Sequence, residues 1–384
     1  MQRTYQYRLY PADQQADQLE TLVCQGRLLY NEALSHRRHI YKHTGQTIRF
    51  FDQWPRFREE RKARLEDFGL LNATSVQQLL RRLDKSFAAF FRRINNGGKP
   101  GFPRFKGIGR FRSLDYRYGD GCRLKGDRFY LQHVGDIRIK QHRPCPQGCL
   151  KHVIITRKAG GRWYVSFQGD DGMEPPPRKD GKAVGIDVGL YRALSLSDGT
   201  LVDASLKLKA SLAKLRRANR AFARKQRFSG RWHKQRQQLA RLHERIANQR
   251  KDFWHKTTDW LTKHYALIAV EELNLRFMLS NRHLSRTAYD MGLGLFNAML
   301  AYKAERAGCA VVAVDPKYTS QQCSGCGTIE GKPLAQRWHS CFCGVELDRD
   351  VNAAVNILNK ARSGPTEPNV EAVSSGVLRE SRLI

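Results

Sequence analysis

The chain has 384 residues, enough for several domains that each bury a core. It carries 68 Lys and Arg against 36 Asp and Glu, a formal net charge of +32, and such an excess opposes compaction unless a polyanion neutralises it. No apolar run reaches the roughly 18 residues of a membrane-spanning helix, and the N-terminus lacks a signal-peptide pattern. We therefore expect a cytoplasmic protein with a nucleic-acid partner and no membrane partner.

The N-terminal half mixes strand and helix patterns. Residues 1–10 alternate apolar and polar side chains like a strand, and residues 12–45 have helical spacing. Residues 72–94 predict the clearest amphipathic helix, with Ser75 as its cap. Residues 110–170 contain short alternating segments separated by turns, a pattern typical of a small antiparallel barrel.

Two stretches of this half suit nucleic-acid contact. The helix over 72–94 carries Arg81 and Arg82 off its apolar face. The Gly/Pro-rich turn that follows sets basic side chains beside an aromatic ring, which can hold phosphates and stack on bases; these residues are Lys99, Arg104, Phe105 and Lys106. A solvated charged face and a hydrophobic loop anchor are the alternative interpretations.

The middle of the chain is strongly basic. Residues 201–250 contain 15 Lys and Arg and only two acids, Asp203 and Glu244. Helical spacing runs from Ala204 to Ala247, and Ser229 with Gly230 interrupts it. The pattern predicts two long helices in a hairpin.

Acids follow three predicted buried strands and open a last helix. The strand at 183–187 ends in Asp187, and the small residues beside this acid let something bulky come close to the backbone. The other acids are Glu271 and Glu272 after 265–270, Asp315 after 310–314, and Asp348 and Asp350 at the start of a helix over 347–358. An acid at a strand end is often only a turn cap, so each one alone is weak support for a site.

The chemistry of phosphodiester cleavage supplies a reason for the set. Two Mg²⁺ ions about 4 Å apart can activate water and neutralise the leaving oxygen. Such ions need hard oxygen ligands, so about three or four carboxylates must converge from rigid elements. Two strand ends and a helix start could provide them, with Asp348 and Asp350 as alternatives for the last position.

Four of the nine cysteines cluster in sequence, and the odd total argues against a disulfide framework. Cys323 and Cys326 form one pair, 14 residues (327–340) follow, and Cys341 and Cys343 form the second. Two pairs at this separation predict a structural Zn²⁺ ribbon. The second pair is unusual, because one residue separates its thiols instead of two.

With these motifs the sequence resembles the TnpB family, the transposon-encoded RNA-guided DNA nucleases related to type V CRISPR effectors. The resemblance is carried by residues 185–189 (Gly-Ile-Asp-Val-Gly), 270–274, 318–327 and 348–357, with 83–87 and 99–105 upstream. It extends from about Tyr5 to Ala361.

The resemblance implies a mixed α/β multidomain fold: an RNase H-like (RuvC) nuclease domain with a zinc-ribbon insertion, a helical recognition lobe and a small β-barrel wedge domain. The implied order is the first wedge strand at 1–10, the recognition lobe at 11–95, the wedge barrel at 96–172, a linker at 173–182, the first nuclease part with the basic helices at 183–318, the zinc ribbon at 319–346, the final nuclease helix at 347–362 and a disordered tail at 363–384.

The resemblance also assigns the site. It implies that Asp187, Glu271 and Asp350 are the catalytic acids and hold two Mg²⁺ ions, while Glu272 stands where the family often has Asp. The family's second cysteine pair is usually Trp-x-Cys-x-x-Cys, and here Ser340 stands where a cysteine belongs. Cys341 could take over one position later, His339 could substitute, or the ion could be lost; we expect Cys341 and retained Zn²⁺.

The implied activity is RNA-guided, Mg²⁺-dependent cleavage of double-stranded DNA beside a short flanking motif. The implied partners are a guide RNA from the transposon end and the target DNA, in a monomeric ribonucleoprotein associated with a prokaryotic nucleoid. We expect part of the motif to be read near Gln77 and Gln78. The alternatives are an RNA-guided repressor that binds without cutting and a protein-only zinc module for nucleic acid.

Overall fold

A computed structural model describes residues 2–189, 192–203, 206–272, 292–333 and 336–363. The chain divides into two compact units, Met1–Met173 and Glu174–Ile384. Within the described ranges, no helix is both long enough and apolar enough to span a membrane. The predicted tail falls, beyond Ser363, outside the described residues.

The first unit contains a set of helices that pack around one another. They are α1 (Asp13–Thr44), α2 (Phe50–Ala63), α3 (Leu65–Phe68) and α4 (Ala73–Asn95). Asn72 caps α4, since its backbone is extended and its side-chain oxygen accepts a 2.8 Å hydrogen bond from the Ser75 N–H. The prediction that Ser75 is the cap is wrong: Ser75 lies buried in the first turn, and its hydroxyl donates back to the Asn72 carbonyl.

A seven-stranded antiparallel sheet completes this unit. Its strands are β1 (Gln2–Tyr10), β2 (Ser113–Arg117), β3 (Cys122–Lys125), β4 (Arg128–Leu131), β5 (Gly135–Lys140), β6 (Leu150–Arg157) and β7 (Trp163–Asp170). The strand order is β2-β6-β7-β1-β5-β4-β3, so the N-terminal strand pairs with β7 and β5. Alternate residues of each strand are buried, which confirms the strand predictions in this region.

The second unit is built on a five-stranded sheet. Its strands are β8 (Ala183–Asp187), β9 (Leu194–Leu196), β10 (Leu201–Val202), β11 (Leu267–Glu271) and β12 (Ala310–Val314), in the order β10-β9-β8-β11-β12. β8, β11 and β12 are parallel, and β9 and β10 form an antiparallel hairpin beside β8. The other elements are α5 (Leu206–Ala223), α6 (Gly230–His264), α7 (Leu293–Ala307), the β13–β14 hairpin (Trp338–Ser340 and Glu346–Asp348) and α8 (Arg349–Ser363). The basic stretch therefore forms the two predicted long helices, α5 and α6.

The two faces of the central strands differ in side-chain size. Val184 and Ile186 of β8 point into a core that includes Trp254 of α6, and neighbouring β11 follows the same alternation. The opposite face carries Gly185 and Ala269, and α8 packs there. A Cβ on Gly185 would lie 2.0 Å from the Ala354 carbonyl oxygen. The expected close approach to this glycine is confirmed, and the approaching element is the α8 backbone.

This contact predicts the effect of a single methyl group. Gly185→Ala should lower the stability of the second unit by about 2 to 3 kcal/mol, because the methyl meets helix backbone that cannot move without displacing α8. Thermal unfolding measures the change. Gly230→Ala is the matched control, since nothing lies within 4 Å of its Cβ position; an equal loss of stability in both variants would contradict the packing.

Candidate active site and nucleic-acid interface

The ends of β8 and β11 bring two acids to one edge of the sheet. The parallel register pairs Ile186 with Val270, so Asp187 and Glu271 follow at the same level. Asp187 comes two residues after Gly185, and Glu271 comes two residues after Ala269; both of these small residues face α8. Because side chains alternate along a strand, both carboxylates lie on the α8 side of the sheet.

The third acid comes from α8 itself. This helix runs antiparallel to β8, because Ala354 and Leu358 contact Gly185 in the middle of the strand while Asp350, earlier in the helix, acts on Asp187 at the strand end. Asp350 lies one turn before Ala354, and Asp187 lies two residues after Gly185, so the helix start and the strand end meet.

The electrostatics of Asp187 agree with this convergence. Burial, followed by the charges of Glu271 and Asp350, raises the pKa of Asp187 to about 8, against the opposing charges of Arg349 and Arg337. The Arg337 guanidinium lies 3.5 Å from an Asp350 oxygen. The structure thus brings together the three acids that the resemblance assigns.

The remaining candidate acids lie elsewhere. Asp348 accepts a 2.9 Å bond from the Asp350 N–H and pairs at 3.0 Å with Arg192, so it anchors the start of α8. Glu272 is exposed. Asp315 is exposed and accepts a bond from the Lys317 N–H. Of the two neighbouring acids, Asp348 is held by Arg192 and the start of α8, whereas Asp350 is the one that acts on Asp187 and belongs to the cluster.

A chain of hydrogen bonds links Glu271 to the cysteine-bearing segment. The Thr319 hydroxyl donates to Glu271 Oε1, and this bond lowers the pKa of Glu271 while burial, the larger effect, raises it. The Asn356 amide donates to the carbonyls of Thr319 and Gln322, at 3.0 and 2.6 Å. Asn352 also donates to Gln322, and its side-chain oxygen accepts from the Ser324 N–H. Thr319, Asn352 and Asn356 are absent from the site residues predicted from sequence, although the spacing of the two asparagines by four places them on one helix face.

The acid cluster fits a divalent cation. Three carboxylates offer the hard oxygen ligands that Mg²⁺ prefers. Burial and the mutual repulsion of the carboxylates together raise the pKa of Asp187, and a bound cation would offset both effects. Asp187, Glu271 and Asp350 are therefore the residues that could hold Mg²⁺.

The four predicted cysteines also converge. The sulfur atoms of Cys323, Cys326, Cys341 and Cys343 all lie within 4.8 Å of one another. The Cys323–Cys343 and Cys326–Cys341 separations are 3.6 and 3.5 Å. Bonds of about 2.3 Å in a tetrahedral Zn–S₄ site imply sulfur separations of about 3.8 Å, so this donor set fits Zn²⁺.

The short second pair is accommodated by a tight turn. Gly344 follows Cys343 with φ +86°, and its N–H donates to the Cys341 carbonyl at 2.9 Å. Ser340 is exposed on β13, outside the sulfur cluster. His339 is buried against Lys332 instead of joining the cysteines. Of the alternatives for the unusual pair, the geometry favours Cys341.

One face of the first unit's sheet is a basic surface that sequence analysis missed. Register places Arg8 opposite Lys140, and Arg128 opposite both Arg138 and Lys125. We call this the basic sheet face: Arg8, Arg123, Lys125, Arg128, Arg138 and Lys140, with Tyr10, Tyr130 and the acid Asp136 among them. Like charges opposite each other destabilise a sheet, so a polyanion on this face would relieve the repulsion. The signal was the alternation of cations with apolar residues in β3, β4 and β5.

The nucleic-acid residues proposed from sequence have different surroundings. Arg82 pairs with Asp115 at 2.9 Å and donates to the Ser113 carbonyl, so its guanidinium joins α4 to β2. The Arg81 guanidinium lies over the Phe50 ring. Gln77 and Gln78 are half-buried, Lys106 is half-buried with its ammonium over the Tyr30 ring, and Lys99, Arg104 and Phe105 are exposed.

Family comparisons match three parts of the chain. Residues 164–282 match the family described as "Probable transposase" (OrfB_IS605), residues 294–357 match the Cas12f1-like, TNB domain, and residues 1–46 match a helix-turn-helix domain of OrfB_IS605. The cryo-EM structure of a Cas12f1-sgRNA-target DNA complex aligns with a TM-score of 0.57 at 13% identity, over 94% of this chain and 99% of that one. Fold and site together define a mixed α/β protein of the Cas12f1 fold, whose described residues include a carboxylate cluster and a cysteine cluster.

Two curated relatives cover nearly the whole chain. A Streptomyces pristinaespiralis protein named "Putative RNA-guided DNA endonuclease" is 32% identical over 93% of this chain and 89% of its own length. The Escherichia coli K12 protein named "Putative RNA-guided DNA endonuclease InsQ" is 30% identical over 93% and 91%. The chain belongs to the TnpB family.

The charge cluster predicts a pH effect on stability. The pKa of Asp187 is raised in the folded chain, so the folded state binds more protons than the unfolded state between pH 4 and 8, and stability falls as pH rises through that window. In EDTA, Asp187→Asn should be more stable than the wild type by several kcal/mol, on the order of 5, at pH 8.5 and by almost nothing at pH 4. Thermal unfolding at both pH values measures this; parallel pH profiles of the two proteins would show that the pKa of Asp187 is not raised in the folded chain.

Metal content tests the second cysteine pair. The purified chain should carry one Zn²⁺, and Cys341→Ser should lose it and melt at lower temperature, because a structural zinc site contributes folding energy. Elemental analysis by mass spectrometry gives the stoichiometry. The neighbouring Ser340→Ala variant should keep its zinc; full zinc in Cys341→Ser would exclude this ligand.

The basic sheet face predicts opposite changes in stability and binding. At low salt, Arg138→Thr should stabilise the chain by about 0.2 to 1 kcal/mol, since the repulsion from Arg128 is removed. It should also weaken nucleic-acid binding and lower the salt slope by about 1. Asp136→Asn removes an acid from the same face, so it should lower the stability of the chain and strengthen nucleic-acid binding. A loss of stability in Arg138→Thr with unchanged affinity would reject the surface.

Proposed function

We propose that this protein is an RNA-guided, Mg²⁺-dependent endonuclease that cuts double-stranded DNA beside a short motif, using a guide RNA from the transposon end. The convergence of Asp187, Glu271 and Asp350 carries the proposal. The names of the full-length relatives and the net charge of +32 support it. We further propose a monomeric ribonucleoprotein associated with the nucleoid.

We propose a domain assignment that the division into two units supports. We assign the five-stranded sheet with α8 to an RNase H-like (RuvC) nuclease domain, formed by 183–318 and 347–362, with the zinc ribbon at 319–346 inserted. In the first unit, the helices of 11–95 are assigned to the recognition lobe, where Gln77 and Gln78 contribute to motif reading. Residues 1–10 and 96–172 are assigned to the wedge domain, and 173–182 to the linker.

The residues of the site have separate tasks in this mechanism. Asp187, Glu271 and Asp350 would hold two Mg²⁺ ions, which when bound supply water activation and charge neutralisation at the scissile phosphate. Thr319 orients the Glu271 carboxylate through its hydroxyl. Arg337 lies beside Asp350, where its guanidinium could bind the scissile phosphate or hold the Asp350 carboxylate in position.

Cleavage of a guided target tests the proposal. The wild-type ribonucleoprotein with its copurifying RNA should cut a plasmid complementary to that RNA in Mg²⁺ and not in EDTA. Asp350→Ala should fall below about 1% of the wild-type rate while it still binds RNA, because only cation ligation is lost. Asp315→Ala is the matched control and should cut normally, since this acid lies outside the cluster.

The same assay separates the other candidate functions. Target DNA that is bound but stays intact with wild-type protein in Mg²⁺ would reject cleavage in favour of an RNA-guided repressor. Target recognition that survives ribonuclease treatment during assembly would indicate a protein-only zinc module.

A further inference from the structure

A groove lies within the first unit, between the C-terminal half of α1, the loop that joins α1 to α2, α4 and the loop that follows α4. Its volume is about 930 Å³, within the range of ligand-binding pockets. We call it the aromatic groove; the lining residues that matter here are Arg38, Lys42, Arg49, Phe91, Phe102 and Phe105. All its walls belong to one unit.

Three phenyl rings of the groove are held open to solvent. Phe91, Phe102 and Phe105 are 45%, 45% and 48% exposed. Phe102 is fixed by edge contacts with Phe87 and Phe90, at ring separations of 5.5 and 5.3 Å. Contiguous exposed aromatic surface marks an interaction site more often than isolated exposed residues do. These rings therefore suit a flat, apolar partner surface.

Cations surround the rings. The Arg38 guanidinium lies 5.9 Å from the Phe102 ring centre and 5.4 Å from that of Phe105. Asp84 is the only acid among the described residues that line the groove. Both of its oxygens are engaged, one by Arg37 and one by the Phe50 N–H. The charges of Arg38, Lys42 and Arg49 thus face the groove with little compensation.

The combination of rings and cations selects the occupant. A second copy of this chain would set one basic groove against another, so repulsion opposes it. A duplex keeps the faces of its bases stacked and unavailable to the rings. An unpaired strand presents flat bases and phosphates at alternating positions, which is the pattern that aromatic and basic side chains bind.

We propose that the aromatic groove binds an unpaired stretch of nucleic acid, with bases stacked on Phe91, Phe102 and Phe105 and phosphates on Arg38, Lys42 and Arg49. The site goes beyond the proposed cleavage activity. Binding there needs neither the acid cluster nor Mg²⁺, so a failed cleavage assay and a failed binding assay are distinguishable.

Fluorescence anisotropy in EDTA tests the groove on the full chain after copurifying nucleic acid is removed in high salt. The probes are a labelled 12-nucleotide dT strand, a 12-nucleotide rU strand and a 12-base-pair duplex. Phe105→Ala should weaken binding of at least one single strand about 10-fold, and Phe105→Trp should restore it. Arg38→Ala should weaken the same probe and reduce its salt slope by about 1.

The control is Phe51→Ala, which removes a ring that is 77% exposed but does not line the groove. It should leave affinity unchanged, and equal melting temperatures should show that all variants fold. If only one of the two single strands loses affinity in Phe105→Ala, that strand shows whether the groove binds DNA or RNA. Equal losses in Phe51→Ala and Phe105→Ala, an equal effect of Phe105→Ala on the duplex, or a dimer that Phe105→Ala dissociates in sedimentation would each overturn the proposal.

Discussion

The backbone contact between α8 and Gly185 is the constraint on which the candidate active site depends. The helix can lie directly on β8 only because no side chain stands between Gly185 and the Ala354 carbonyl. That distance fixes where the first turn of α8 begins, and so places Asp350 at the ends of β8 and β11. The cost is an acid cluster whose charges oppose one another, since burial and the neighbouring carboxylates raise the pKa of Asp187. A bound cation would offset both effects and favour the ionised form of Asp187.

The same helix connects the acid cluster to the cysteine cluster. Asn352 and Asn356 occupy one face of α8 and bind the backbone of the segment that enters the first cysteine pair. Thr319, at the start of that segment, donates to Glu271. The segment that enters the first cysteine pair is therefore tied both to α8 and, through Thr319, to one carboxylate of the site. We infer a positioning role for Thr319 on these contacts.

Much of the site was predictable from sequence because its signals are local. Apolar runs that end in acids predicted strand ends, and the cysteine spacing predicted a converging set of thiols. Local residue patterns could not decide between Asp348 and Asp350, because the difference depends on the capping of α8 and on Arg192, which is distant in sequence. The basic sheet face was not predicted for the same reason: each strand carries only one or two outward cations, and register alone brings them together. The cap of α4 was misplaced because Asn72 and Ser75 are both good caps, and backbone geometry decides between them.

The position of a bound divalent cation is the most direct measure of whether the three acids form one site. Crystals of the full chain soaked in Mn²⁺, which takes the same oxygen ligands as Mg²⁺, would give anomalous difference peaks at the bound ions. We expect a peak about 2.1 Å from carboxylate oxygens of Asp187, Glu271 and Asp350 together. Ions bound only elsewhere, with these three carboxylates directed away from one another, would contradict a shared site.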